Sequence, residues 1–205
     1  MRPSHLIALS ATLGTLALAL PAHAADAQGF IEHEHQRLDQ LLHQPASASR
    51  DAEVNAALDR FVDYDNLVQR SFGEPCHPSI PSCEDLWGRW DEGQKKQLHD
   101  LLKQVIETSY RRNLTKTLDY DVSYKGSRDA GGDTRVLTEA KSKSNPRDTA
   151  VRVDYVVKQE GNSYRVVDII TEGSSFSKNL YVQFRKLDDY DKIVGKLREK
   201  IAKKD

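Results

Sequence analysis

An excess of either charge is missing from this sequence: 30 Lys and Arg stand against 31 Asp and Glu in 205 residues, a formal net charge of −1. Polynucleotides are held largely through neutralised phosphates, so this balance, with only two tryptophans, leaves no broad basic face for nucleic acid. Catalytic signatures are missing too. There is no Gly-x-Ser-x-Gly elbow, Walker loop, His-Glu-x-x-His or glycine-rich dinucleotide turn, which weakens any enzyme assignment. Cysteine is scarce. Cys76 and Cys83 do not form the Cys-x-x-Cys of a redox centre. In an exported protein they should pair, a staple on a proline-rich loop contributing about 2.5 kcal/mol. Long apolar runs are also absent. The longest, from Leu6 to Leu20, is about 15 residues, short of the roughly 20 that span a bilayer. Arg2 before it and the small-x-small pattern Pro21-Ala22-His23-Ala24 after it read as a secretory signal over residues 1–24, leaving residues 25–205 as a single domain.

What is present divides by period, helical to about residue 116, stranded over 118–172, then helical to the end. Phe30, Ile31, Leu38, Leu41 and Leu42 outline a weak amphipathic helix, and Val54, Ala57, Leu58, Phe61 and Val62 a stronger one. Asp63 can cap a short helix that Gly73 ends. Asp91 and Gln94 have capping-box spacing, and Leu98, Leu101, Leu102, Val105, Ile106, Tyr110 and Leu114 follow as one stripe. Asp188 or Asp189 starts a last helix with Ile193, Val194, Leu197 and Ile201 on one side. Its basic segment, 196–204, reads as a solvated face.

Between these helices the period changes to two. Leu118, Tyr120, Val122 and Tyr124 point one way, and "KGSRDAGGD" reads as a turn. "TRVLTEAKSKS" is a more polar strand. Val151, Val153, Tyr155 and Val157 point inward with Arg152, Asp154 and Lys158 outward. In the last strand Val167 and Ile169 share a face, opposite Tyr164, Val166 and Ile170. Four consecutive strands with short turns imply an α+β fold, an antiparallel meander with helices over its one apolar face.

Little here carries chemistry. His33-Glu34-His35 is the one tight histidine group, but residues two apart on a helix point about 200° from each other and cannot share a metal, so a solvated helix face is expected. Asp168 interrupts an apolar strand. Buried, it could serve as a general base; the plainer expectation is a carboxylate held by hydrogen bonds from a neighbouring loop. Tyr110, Tyr120, Tyr124, Tyr155 and Tyr164 could edge a pocket or simply belong to the core.

At these residues the chain resembles the periplasmic phospholipid-binding proteins of the Mla lipid-transport system, the MlaC or toluene-tolerance family. The resemblance runs over about residues 60–204. "VDYDNLVQRSFG" is similar to the family's Asp-aromatic segment ending in Leu-Gly, with Asp63, Tyr64, Leu67 and Gly73 in register. Trp87, Gln94 and Tyr110 resemble the family's Trp, Gln and Tyr, and "YRVVDIITEGSSFSKNLYVQF" its final strand, with Asp168, Glu172, Gly173, Ser175, Tyr181 and Phe184 matching. There are departures. Residues 74–86, with both cysteines, look inserted; Tyr164 stands where the family has Trp, and Ser174 where an apolar residue is common.

The resemblance implies a curved antiparallel four-stranded sheet covered by helices, cone-shaped, with an apolar cavity between the layers. It further implies a monomeric periplasmic carrier without cofactor or resident metal. Such a carrier would shuttle glycerophospholipid between an outer-membrane lipoprotein complex and an inner-membrane ABC-transporter complex with an MCE-type lipid-binding subunit. Leu102, Val105, Ile106 and Tyr110 of the long helix and Tyr120, Val122, Val151, Val153, Tyr155, Val167 and Ile169 of the sheet are the expected cavity lining. Two other readings stand beside it: a carrier of another apolar cargo such as a hopanoid, sterol or solvent, and an enzyme on a similar cone-shaped fold with Asp168 as base.

Overall fold

The structure is a computed structural model describing residues 22–203 apart from Pro146, without the side chains of residues 22–26 and 110–117. Residues 1–21 of the expected leader and the Tyr110 side chain lie outside the described residues. Helices α1 (Ala22–Leu42), α2 (Ala48–Phe61), α3 (Tyr64–Ser71) and α4 (Glu92–Thr117) precede strands β1 (Tyr120–Asp129), β2 (Thr134–Ser142), β3 (Val151–Glu160), β4 (Ser163–Thr171) and β5 (Ser174–Ser175); α5 (Phe176–Leu187) and α6 (Tyr190–Ala202) follow. A single 3-10 turn, Trp87–Arg89, lies between α3 and α4.

Each helix after α1 starts where a side chain satisfies the first free amides. Ser47 accepts from Arg50 N at 3.1 Å and Asp63 from Asn66 N at 2.9 Å. The capping box before α4 closes in both directions, Gln94 N to Asp91 Oδ1 at 2.8 Å and Asp91 N to Gln94 Oε1 at 3.1 Å. Asp189, accepting from Lys192 N at 2.9 Å, starts α6; Asp188 instead ends α5 in the left-handed region, φ 46°.

The sheet is an antiparallel meander ordered β1-β2-β3-β4-β5. The sequence pattern indicates four strands, and the two-residue β5 adds a fifth because Ser174 and Ser175 fold back onto Thr171 and Ile170. Two bulges bend the sheet and alter which residues share a face. In β1, Lys125 and Gly126 stand opposite the single residue Leu137, with Gly126 at φ 102°. The expected turn over "KGSRD" is therefore strand, since the bulge lets pairing resume at Ser127↔Val136 and run on to Asp129↔Thr134. In β4 the register passes from Asp168↔Val156 to Val166↔Val157, leaving Val167 as the extra residue. That shift overturns the simple alternation. Tyr164, Val166 and Ile169 share the inner face, Ile170 faces outward, and Val167 is buried without a strand partner. At the same bulge, Asp63 N donates to Val166 O at 2.9 Å, tying the α2–α3 junction to the sheet.

The apolar interior forms two clusters. One packs α1 and α2 onto the inner sheet face, with Ile31, Leu38, Leu58 and Phe61 against Val136, Val157 and Val166. The other is helical, joining Phe72 of the α3 end, Leu98 and Leu102 of α4, Leu180 and Phe184 of α5 and Leu197 of α6. Ile106 and Phe176 pack against both.

The loop over residues 74–86 docks on the helical half. The Cys76–Cys83 disulfide closes it with the Cα atoms 5.7 Å apart, Tyr181 Oη accepts from Glu84 N at 2.8 Å, and Leu86 N donates to Phe72 O at 2.9 Å. Gly73 permits this approach. It sits at φ +85°, and a Cβ there would lie 2.5 Å from Glu84 O and 2.7 Å from Tyr181 Cε2. Gly73→Ala is therefore expected to lower stability by more than about 2 kcal/mol, from left-handed strain plus a backbone clash. A urea titration checks this, through a lower midpoint at unchanged slope.

Candidate functional site

Register and burial together define an apolar strip on the inner sheet face. The inner positions are Tyr120, Val122 and Tyr124 on β1, Val136, Thr138 and Ala140 on β2, Val151, Val153, Tyr155 and Val157 on β3, and Tyr164, Val166 and Ile169 on β4. None of these carries a formal charge; the same register adds Ser127, Thr134 and Thr171 and, at the β1–β2 turn, Asp129. At the end holding the β1–β2 and β3–β4 turns this face is closed, with Val136, Val157 and Val166 fully buried under α1 and α2. Towards the opposite end the cover thins. Val151, Val153, Tyr155 and Ile169 are only partly buried, while Tyr120 and Val122 reach 37% and 41% exposure. The uncovered stretch is about 15 Å long, four to five residues of strand at about 3.3 Å each. Apolar surface so arranged offers a ligand burial without directional chemistry.

α1 crosses the inner face obliquely. Phe30 meets Tyr164 at 6.1 Å between centroids, and further along His35 lies between Tyr155 at 4.9 Å and Tyr124 at 5.9 Å. His35 Nδ1 and Tyr124 Oη are hydrogen-bonded at 2.8 Å. Burial pushes the His35 imidazole down to about 4 and, with Glu32 nearby, the Tyr124 phenol up to about 12. The solvated-face expectation for His33-Glu34-His35 is thus corrected. His33 alone is exposed, because α1 turns Glu34 and His35 toward the protein. The i+3 and i+4 spacing of Ile31, Glu34 and Leu38 carried that signal.

The expected lining residues separate on the structure. Tyr120, Val122, Val151, Val153, Tyr155 and Ile169 share the inner face. Leu102 and Val105 belong to the helical cluster, while Ile106 touches both clusters. Val167 falls on the bulge instead of pairing beside Tyr155. Tyr124 and Phe61, reached by α1, are parts of this region that the lining assignment did not include.

Asp168 lies on the other face, paired with Val156. It is buried, and both oxygens are engaged: Oδ2 accepts from Ser175 Oγ at 2.6 Å, and Oδ1 from Ser177 N at 3.0 Å and Ile169 N at 2.9 Å. Of the two readings, the carboxylate held by hydrogen bonds is the one observed; it fastens β4 to the start of α5. Removing a charged acceptor that serves three donors should cost about 2–3 kcal/mol, so Asp168→Ala should lower the melting temperature. It should not abolish loading of an apolar ligand on the inner face, measured as ligand bound per folded chain. Asp154, expected to face solvent, is 0% exposed. It lies outward as the alternation requires, but Arg135 Nε donates to it at 2.9 Å and Thr138 N at 3.3 Å, so a paired charge is buried there.

The family model for MlaC protein matches residues 34–199. The chain belongs to the MlaC family. Its fold is also that of a solved structure, a phospholipid-binding protein from Ralstonia solanacearum in complex with a phospholipid. The two are 20% identical with a TM-score of 0.68, over 86% of this chain and 97% of the other. No curated protein matches the sequence. Within the MlaC-family segment lie all five strands, α2 to α5 and most of α6, whereas residues 22–33 of α1 precede it. Among the described residues no helix is long and apolar enough to cross a membrane.

Proposed function

We propose that this MlaC-family protein is a periplasmic phospholipid carrier that holds acyl chains against the inner sheet face. The supporting observation is the apolar strip, buried at Val136, Val157 and Val166 and open at Tyr120 and Val122. Two tails with about 30 methylenes would cost on the order of 24 kcal/mol to expose to water, at about 0.8 kcal/mol each. A carrier therefore has to enclose nearly all of them, while the headgroup stays in water at the open end. No reactive group is needed, and the buried carboxylate Asp168 is on the opposite face, committed to the β4–α5 junction.

The MlaC-family membership supports exchange with an outer-membrane lipoprotein complex on one side and an inner-membrane ABC-transporter complex with an MCE-type subunit on the other. Export by the leader over residues 1–24 would place it between them. Residues 74–86 form a decoration on the helical half, away from the strip. Native mass spectrometry of the freshly purified protein tests the reading. Phospholipid at near one molecule per chain is the expected result; an empty protein that also takes none from vesicles overturns it.

A further inference from the structure

The carrier reading leaves Glu34 without a task. The buried stripe of α1 runs Ala27, Ile31, Glu34, Leu38 and Leu41, so a carboxylate occupies the middle of an otherwise apolar seam. Glu34 is 7% exposed, and among the described residues its Oε2 has no hydrogen-bond partner. Its other oxygen faces the ring of the exposed His33 at 3.4 Å, the one such contact among the described residues. Among the described residues, the buried stripes of α2, α3, α5 and α6 carry no formal charge: Val54, Ala57, Leu58 and Phe61 on α2, for example, or Ile193, Val194 and Leu197 on α6. Burying a carboxylate with so little compensation opposes the docking of the helix that carries it.

The position of α1 gives that penalty a meaning. Among the described residues, α1 contributes to the sheet-side cluster and to none of the helical one. Phe30 and Ile31 precede the MlaC-family segment, yet Ile31 is fully buried and Phe30 stacks on Phe61 at 6.0 Å. These side chains cover the closed end of the same inner face whose open end begins at Tyr120 and Val122. Ligand and α1 would thus compete for one surface.

We propose that α1 is a displaceable plug: it fills the closed end of the inner face when no lipid is bound and moves off as acyl chains replace it, with the poorly compensated carboxyl of Glu34 keeping its docking weak enough to reverse. The inference rests on the phospholipid reading above. Binding through a partly populated open state is weakened by the open fraction. Glu34→Leu removes the buried carboxyl group and extends the apolar seam, so it should raise the melting temperature and weaken or slow lipid uptake by about tenfold or more. Ile31→Ala loosens the same helix and should do the reverse, lowering the melting temperature while speeding uptake.

The probe is transfer of a tail-labelled phospholipid from phosphatidylethanolamine and phosphatidylglycerol vesicles, with hydrogen exchange of the amides over residues 27–42 measured in parallel. The plug requires that these amides lose protection on lipid loading and that, in lipid-free protein, they exchange more slowly in Glu34→Leu than in the wild type. Unchanged uptake in Glu34→Leu, or greater protection of α1 on loading, overturns it. Should the wild type take no lipid at all, the carrier reading fails, and the lipid-free exchange comparison then decides the plug separately: slower exchange in Glu34→Leu supports a reversible helix, and equal exchange overturns it.

Discussion

Val153→Trp is expected to yield a folded protein that no longer retains lipid. Val153 lies on the inner face of β3, paired with Thr171 of β4 and next along the strand to Tyr155, and it is only partly buried. Its backbone carbonyl is already fixed by the Thr138 hydroxyl, so the strand has little room to rotate the new ring away. An indole there projects into the strip that the acyl chains would occupy. In a solid core the same enlargement costs about 1–3 kcal/mol through strain. At an open strip the ring can be accommodated, and the loss appears in binding. Bound phospholipid per chain should fall at least tenfold, about 1.4 kcal/mol or more, with the melting temperature little changed. A large drop in melting temperature would mean that the face is packed solid. Val122→Asp is the companion: at 41% exposure it should leave stability intact yet expel tails, because a carboxylate against hydrocarbon loses its hydration.

Acidification is expected to weaken the fold before the carboxylates titrate. The His35 pKa falls from 6.5 to about 4 because the ring is buried against Tyr155 and Tyr124. In the unfolded chain it would titrate near 6.5. Above that pH both states are neutral and the contribution to stability is intact. Below it the unfolded state takes up a proton that the folded state refuses, so stability is lost progressively from about pH 6.5 down to about pH 4. The full loss is on the order of 3 kcal/mol, from a shift of roughly two and a half units. Urea midpoints at several pH values across this window should show the decline. His35→Gln, which keeps a hydrogen-bonding group near Tyr124, should flatten it, and an equal pH dependence in the two proteins would remove His35 as the cause.

What the sequence makes legible is whatever local chemistry decides. The Asp91–Gln94 box, the caps at Asp63 and Asp189 and the alternation of β3 are short-range patterns, and each forms as the spacing requires. What it conceals are events that change register. One extra residue at Val167 moves Tyr164 and Val166 onto the face of Ile169, and the Lys125–Gly126 bulge turns an apparent loop into five more residues of strand. Neither bulge leaves a period-two signature. The candidate site suffers most from this. The exposed ends of β1 and β3 follow from alternation, but the closed end depends on α1, whose carboxylate at Glu34 makes a buried face resemble a wet one. Leu102 and Val105 lie on an apolar stripe as expected, yet that stripe packs on α3, α5 and α6; hydrophobic periodicity names a buried face without naming what covers it.

Both tryptophans, Trp87 and Trp90, pack against the helical cluster, while the sheet-side cluster carries its aromatic rings as Phe and Tyr. Indole fluorescence therefore watches one half of the molecule, and tyrosine dichroism weighs the other more heavily. Because Ile106 and Phe176 belong to both packings, the two optical signals should melt together in the wild type. Trimming either bridging side chain to Ala should pull the two curves apart, turning a single cooperative transition into two.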